Sequence, residues 1–490
     1  MKICSLYGVG FYYIPGTDMC LKVGGWVRQE LFWAHGGSGT TASFNGQANS
    51  RATSNYGGTA RGYITADARN QTAYGTVRAY IAVGLNTNDL GLNTTGNQFS
   101  ANRAFIQWAG FTFGLAQSFF DGFSTAATQY WGDYPASDTG DPGWLVTAYT
   151  AQFGNGFSAT ISAETARLTQ IVGADSTTGA ALGTSLAAGV KTGGTVQPGS
   201  YAGAYGAGGG ITFGNGLTSV APGVGSYGGR QAPDVVGNLR LDQAWGSLQA
   251  MAAWHYVNPA YYATGTLTSI AGGPTAKSGW AAGVFAKINA PMIGKGDYLQ
   301  AEFAYGEGAT RYIFRNPNSN WGARDGMANT FGVLSDAVYA GTNGNTNNTG
   351  LNLTTAWHVD AAYEHFWNAQ WRTSIYGGYG EVNYNQQANA ILCAIIAGGN
   401  ATGAGSTAVA TPGCNNDWST WWLGSRTQWN VTSDFYMGVD VMYIAMDSAS
   451  TFNGLTTPRI AIGGTAVSPL VDDKQDAWQV KFRVHKDFYP

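Results

Sequence analysis

The stretch Gln475-Asp476-Ala477-Trp478-Gln479-Val480-Lys481-Phe482-Arg483-Val484-His485-Lys486-Asp487-Phe488 alternates in chemistry with a period of two. Gln475, Gln479, Lys481, Arg483, His485 and Asp487 fall on one face, and Trp478, Val480, Phe482, Val484 and Phe488 on the other. Successive side chains of a β-strand point to opposite sides, so this is a strand with one polar and one apolar face. The pattern recurs upstream. Thr59, Arg61, Tyr63, Thr65, Asp67 and Arg69 alternate with Ala60, Gly62, Ile64, Ala66 and Ala68. Tyr74, Thr76, Arg78 and Tyr80 alternate with Gly75, Val77, Ala79, Ile81, Val83 and Leu85, and a turn at Asn70-Gln71-Thr72 is expected between the two runs. A soluble sandwich also alternates, with its apolar face toward a core. A membrane barrel reverses the pattern, apolar outward and polar inward.

Connection length separates the two. Sixteen strand segments are legible, near 20–33, 58–69, 73–86, 99–109, 111–122, 143–153, 157–167, 234–244, 247–257, 278–289, 297–307, 355–366, 370–384, 418–430, 435–447 and 474–488. Their connections are expected to alternate strictly between very short, as at Ala244-Trp245-Gly246-Ser247, Phe366-Trp367-Asn368-Ala369 and Val431-Thr432-Ser433, and long, as at 168–233, 308–354 and 385–417. Short turns at one rim and long loops at the other are the mark of a bacterial outer-membrane barrel. An even strand count leaves both termini on the short-turn side, and sixteen strands enclose an aqueous lumen. The long connections, 173–229 above all, are rich in Gly, Ser, Thr, Ala and Asn. Loops of that length are uncommon in a compact soluble domain and ordinary at an outer surface. The fold class predicted is all-β: a 16-stranded antiparallel transmembrane β-barrel in a single domain over 1–490, with short periplasmic turns and long extracellular loops.

Composition agrees. Of the 490 residues only 11% are charged while 13% are aromatic, with 72 Gly but 14 Pro. Typical globular domains carry about 25% charged residues, and a disordered chain carries few rings. Few charges and many rings suit a surface that faces lipid. No apolar run reaches the ~18 residues of a membrane helix, and the mean hydropathy is -0.13. A membrane-spanning chain of this kind must therefore close into a barrel, which satisfies every backbone group internally. Aromatics gather near strand ends, at Phe32-Trp33, Phe119-Phe120, Phe366-Trp367, Trp418, Trp421-Trp422 and Phe488-Tyr489, as in interfacial girdles. With 25 basic and 28 acidic residues the net charge is -3, which argues against nucleic acid as a partner.

The four cysteines, at 4, 20, 393 and 414, form two locally spaced pairs. Neither has the close spacing of a zinc or redox motif. Two structural disulfides, Cys4–Cys20 and Cys393–Cys414, fit an oxidising compartment. The first would tie an N-terminal segment, 1–19, to the barrel strands and loops of 20–488. Met1-Lys2-Ile3-Cys4 opens without the apolar stretch of a secretory leader, so the chain is read as a mature or recombinant form whose signal peptide is absent.

Several stretches resemble the porin family of alphaproteobacteria: Cys4-Ser5-Leu6-Tyr7-Gly8-Val9-Gly10-Phe11-Tyr12-Tyr13-Ile14-Pro15-Gly16-Thr17-Asp18-Met19-Cys20-Leu21-Lys22, Phe105-Ile106-Gln107-Trp108-Ala109-Gly110-Phe111-Thr112-Phe113-Gly114, Asp242-Gln243-Ala244-Trp245-Gly246 and Trp478-Gln479-Val480-Lys481-Phe482-Arg483-Val484. The resemblance brackets almost the whole chain. It implies a general porin of the bacterial outer membrane, a homotrimer among lipid and lipopolysaccharide, whose third long loop folds into the lumen and narrows it. Outer-membrane barrels usually end on an aromatic residue, whereas here Phe488 is followed by Tyr489-Pro490.

By strand count the third loop spans about 123–142. Asp121 precedes it, and it carries Asp133, Asp138 and Asp141. Polar positions of the early strands offer Lys22, Arg28, Arg61, Arg78 and Arg103. Carboxylates opposed to these cations would set a transverse field across the lumen, in which hydrated dipolar solutes align and apolar ones lose ordered water.

The remaining motifs carry no chemistry. Gly223-Val224-Gly225-Ser226-Tyr227-Gly228 matches a dinucleotide fingerprint but lies in a Gly-rich loop. His358 and His365 are an odd number of residues apart, hence on opposite strand faces. No catalytic, cofactor-binding or metal residue is expected. A Ca2+ ion at oxygen-rich loop ends such as Asp472-Asp473 is the one cofactor considered. The expected function is a passive water-filled channel for small hydrophilic solutes and ions, not an enzyme. The alternatives are a substrate-selective channel for sugars or another nutrient, and a non-conducting structural or adhesin barrel.

Overall fold

The structure is a computed structural model that describes residues 3–35, 45–49, 56–91, 94–122, 125–131, 139, 143–174, 212–213, 217–218, 227–259, 273–314, 321–325, 328–341, 348–396, 414–448, 451–452, 460–462, 465–467, 470–471 and 475–490. Its main sheet has seventeen strands, one of them the two-residue Tyr12–Tyr13. The other sixteen are β1 (Cys20–His35), β2 (Tyr56–Thr72), β3 (Gly75–Gly91), β4 (Thr94–Trp108), β5 (Phe111–Ala116), β6 (Trp144–Gly154), β7 (Phe157–Glu164), β8 (Asp234–Gln243), β9 (Gly246–Val257), β10 (Lys277–Asn289), β11 (Tyr298–Glu307), β12 (Thr355–Phe366), β13 (Trp371–Asn383), β14 (Trp418–Thr432), β15 (Phe435–Ser448) and β16 (Gln475–Asp487). Each pairs antiparallel with its neighbours in sequence, and β1 closes the ring on β16 from Trp26↔Asp487 to His35↔Trp478. Closure removes the unpaired edges that an open sheet would present.

The two faces of the sheet are sharply different. On β16, Trp478 and Phe482 are exposed while Gln479, Lys481, Arg483 and His485 are buried. Val27, Leu31, Ile64, Ile81, Leu85, Ile106, Ile161, Val284, Ile375 and Leu423 continue the exposed apolar face around the ring. A continuous apolar exterior on that scale suits lipid, not water.

Both termini lie at the rim of short turns, where the Phe488 amide donates to the Gly25 carbonyl. Asn155 and Gly156 both have positive φ, as do Ala109 and Gly110, the conformation of a tight hairpin turn. The first hairpin differs from the sequence reading. Its ladder runs on to Thr72↔Gly75, so the turn falls on Ala73-Tyr74 and not on 70–72. The strict alternation of short and long connections also breaks once, because β3 and β4 pair as far as Gly91↔Thr94 and leave only 92–93 between them.

A larger departure concerns the long loops. Inward-facing Val236, Met251, Phe285, Tyr376, Trp418, Trp422 and Met442 form one apolar core with Tyr312, Phe314, Leu334 and Val338 of the 308–354 connection and Ile391 and Leu392 of the 384–417 connection. These loops therefore fold into the barrel on the β8–β15 side. The second contributes α2 (Gln386–Ile396), whose first turn is capped by the Asn385 side chain accepting from the Ala388 amide at 2.8 Å. Among these loops, 171–174 and 337–340 pair in parallel.

Candidate functional site: the lumen and its third loop

β5 ends at Ala116, short of the 122 expected from alternation, because the next residues find partners inside the barrel. The Ser118 hydroxyl and Phe119 amide donate to Glu164 at 2.5 and 3.0 Å, and Asn238 donates to the Phe119 carbonyl at 2.7 Å. Phe120 is buried against Tyr312. Asp121 does not present a carboxylate to an open lumen. It is buried, pairs with Arg167 at 2.8 Å, and accepts from the amide and hydroxyl of Thr139. Burial would lower the affinity of Arg167 for its proton, but Asp121, Tyr312 and Glu164 more than offset this and raise its pKa. Asp121 thus fastens both ends of the loop root.

The loop then reaches the far wall. It forms α1 (Thr125–Thr128), where Ser374 of β13 donates to the Thr128 carbonyl and Arg426 of β14 to that of Ala127. The Tyr130 amide donates to Asp440 of β15 at 2.5 Å and its hydroxyl to Gln428 at 2.9 Å, while Lys481 and Arg483 of β16 both donate to the Tyr130 carbonyl, at 3.1 and 3.0 Å. Leaving from β5 and bonding to the inward face of β13–β16, this segment crosses the barrel. Asp133, Asp138 and Asp141 lie outside the described residues, as do Asp472-Asp473 and most of the 223–228 motif.

The five cations expected on the early strands all face inward and stay partly exposed. Arg28 and Arg61 are direct cross-strand partners. Both lie on Trp26, at 4.7 and 5.5 Å from its ring, with Arg28 donating to His485 at 3.3 Å and Arg61 to Asn86 at 2.6 Å. Stacking on the ring offsets the repulsion of two like charges set opposite one another. Arg78 bridges Asp67 and Gln107, and Arg103 donates to the Asn102 carbonyl. Lys22 donates to the Val9 carbonyl at 3.4 Å.

Sequence reasoning missed the buried charges: Glu30 with Arg483, Glu364 with Arg426, and Asp440. Glu30 and Arg483 are cross-strand partners on β1 and β16, so closing the ring on paper would have found them. His358 faces inward and is buried, while His365 faces outward and bonds Asp297, as their spacing predicts. The Cys4–Cys20 disulfide is present. Cys393 is disulfide-bonded, and the side chain of its expected partner Cys414 lies outside the described residues.

A closed sixteen-stranded antiparallel barrel, apolar outside, charged inside and crossed by the loop after its fifth strand, has the build of a bacterial outer-membrane porin. The comparisons with known proteins give the particular family: the chain matches the porin subfamily over residues 1–480 and belongs to it. Porin Omp2b of Brucella suis biovar 1 (strain 1330) is 33% identical over 178 residues, 34% of this chain and 44% of that protein. Porin Omp2b of Brucella melitensis biotype 1 is 30% identical over 174 residues with the same shares. The chain thus spans less than half the length of the curated relatives it matches. Among solved structures, the outer membrane channel DcaP of Acinetobacter baumannii shares the fold, with a TM-score of 0.56 at 12% identity over 97% of this chain and 99% of that one. The barrel is a protein of the bacterial outer membrane.

Proposed function

We propose that this chain is a passive channel through which small hydrophilic solutes and ions diffuse across the outer membrane. One observation carries the reading. On β1–β4 the inward cations Arg28, Arg61, Arg78 and Arg103 remain partly exposed, whereas Arg426, Lys481 and Arg483 on the adjoining β14–β16 wall are buried beneath the third loop. The water path therefore runs along β1–β4, beside the loop and away from the apolar core of β8–β15. In this reading Asp133, Asp138 and Asp141 supply the negative side of the constriction. Lys22, Arg28, Arg61, Arg78 and Arg103 supply the positive side, so that charge and dipole, not a chemical step, select the solute. Three copies assemble side by side, as the family resemblance implies, within lipid and lipopolysaccharide. No catalysis and no cofactor, calcium included, enters this reading.

The test is single-channel recording of the refolded protein in a planar bilayer. Ohmic openings in groups of three are expected, and Arg78→Ala with Arg103→Ala should change conductance and ion selectivity. Folded protein without current would sink the channel, and an unchanged double variant would sink the assignment of the cationic wall.

A further inference from the structure

At the short-turn mouth the two chain ends meet over the inner wall. The Cys4–Cys20 disulfide ties the N-terminal segment to the start of β1, and the Cys4 amide donates to the Phe11 carbonyl at 2.9 Å. Tyr489 packs in the space left by Gly24, and Pro490 in that left by Gly10. Between these ends and the inward faces of β1–β3 lies a recess of about 480 Å³. The rings of Tyr7, Phe11, Tyr80 and Tyr489 line it together with the charged ends of Lys22 and Arg69.

We propose that this recess is a binding site for small organic anions with a flat ring, aromatic carboxylates being the simplest class. The charge is one-sided. Asp67 is its one lining carboxylate, and it is forked by both Arg69 and Arg78, at 2.7 and 3.0 Å. Of the lining residues, Lys22 and Arg69 are the two cations set against that single acid, and among the described residues Lys22 makes no ion pair. Arg69 lies 5.0 Å from the Phe11 ring and 5.7 Å from that of Tyr7, which holds its guanidinium in place for a carboxylate. The rings suit a flat apolar body. The volume falls in the range of small-molecule sites, roughly 300–1,000 Å³, and admits one ring with its carboxylate.

The inference goes beyond the channel reading, and its test needs no current. Equilibrium dialysis of radiolabelled benzoate is carried out against barrel refolded in detergent, with empty micelles as blank and heat-modifiable migration as the check on folding. Saturable binding of one benzoate per chain is expected, with acetate binding more weakly. Lys22→Gln and Arg69→Gln should each weaken benzoate about fivefold or more, the scale of one charge-assisted contact. Cys4→Ser with Cys20→Ser should weaken it too, although both cations remain. Lys295→Gln, on the same rim outside the recess, should bind as wild type. Absent saturable binding, full affinity in the Lys22 and Arg69 variants, or acetate binding as tightly as benzoate would each overturn the site. A barrel that conducts without taking up benzoate loses this site and keeps the channel; one that binds benzoate without conducting does the reverse.

Discussion

The backbone N–H of Tyr130 donates at 2.5 Å to the carboxylate of Asp440, 310 residues further along the chain. The other oxygen of that carboxylate accepts from the Tyr376 hydroxyl, also at 2.5 Å. One buried acid on β15 thus fixes the far end of a loop that leaves the wall at β5. Asp440→Ala would strand both donors, at a cost of about 1–3 kcal/mol each. Lys481 and Arg483 would still hold the Tyr130 carbonyl. The expected phenotype is a folded barrel with higher conductance and noisier open current in bilayer recordings. Current indistinguishable from wild type would mean that the loop does not depend on this bond.

Glu30 and Arg483 form a buried ion pair across the seam between first and last strands. Removing one partner of a buried pair costs about 3–5 kcal/mol when the other charge is left alone; Lys481, Arg28 and the Thr59 hydroxyl remain beside Glu30, so the loss of Arg483 falls toward or below the lower end of that range. Arg483→Met should therefore lower the temperature at which the folded band disappears on gels, and adding Glu30→Gln should recover part of the loss. A double variant less stable than Arg483→Met alone would refute the pairing argument.

Closure at the same seam constrains Gly25. A Cβ there would stand 2.3 Å from the Tyr63 carbonyl oxygen and 2.4 Å from the Phe488 ring. The ring can shift, but the backbone oxygen is held in the β1–β2 ladder. Gly25→Val should cost about 1–3 kcal/mol, as overpacking does, and should lower refolding yield. Gly62→Val is the control, since a Cβ at Gly62 meets nothing within 4 Å.

The barrel was legible because a half-lipid, half-water wall imposes a period of two on every strand, as in 475–488 and 59–69. What lies inside it was less legible. Residues 117–122, read as the end of the fifth strand, leave the wall because Glu164 and Arg167 hold Ser118 and Asp121. The partners of Tyr130 lie about 300 residues away in sequence, beyond any local pattern, and only the family resemblance implied that the loop turns inward. The inner apolar core was hidden by composition: Tyr312-Ile313-Phe314 and Val333-Leu334 are short apolar runs inside connections that otherwise read as polar and Gly-rich.

Asp297 makes the stability of the short-turn rim sensitive to acid. It ends the 290–297 turn and accepts from the Phe366 amide at 2.9 Å, the Tyr363 hydroxyl at 2.6 Å and His365 Nδ1 at 2.7 Å. Burial by itself would raise its pKa, but the Phe366 amide, the Tyr363 hydroxyl and His365 more than offset this and hold the carboxyl below the usual carboxylate range. A carboxyl whose pKa is lower in the folded state than in the unfolded one stabilises the fold above the unfolded value, near 3.9. That contribution is lost as pH falls through the folded value. Asp297→Asn keeps the shape but not the charge. It should unfold at a lower temperature than wild type at neutral pH, and the gap should close as pH drops below about 4. Thermal unfolding followed by circular dichroism at pH 7, 4 and 3 reads the difference directly. A gap that stays constant from pH 7 to 3 would show that Asp297 acts through its shape, with its ionisation contributing nothing.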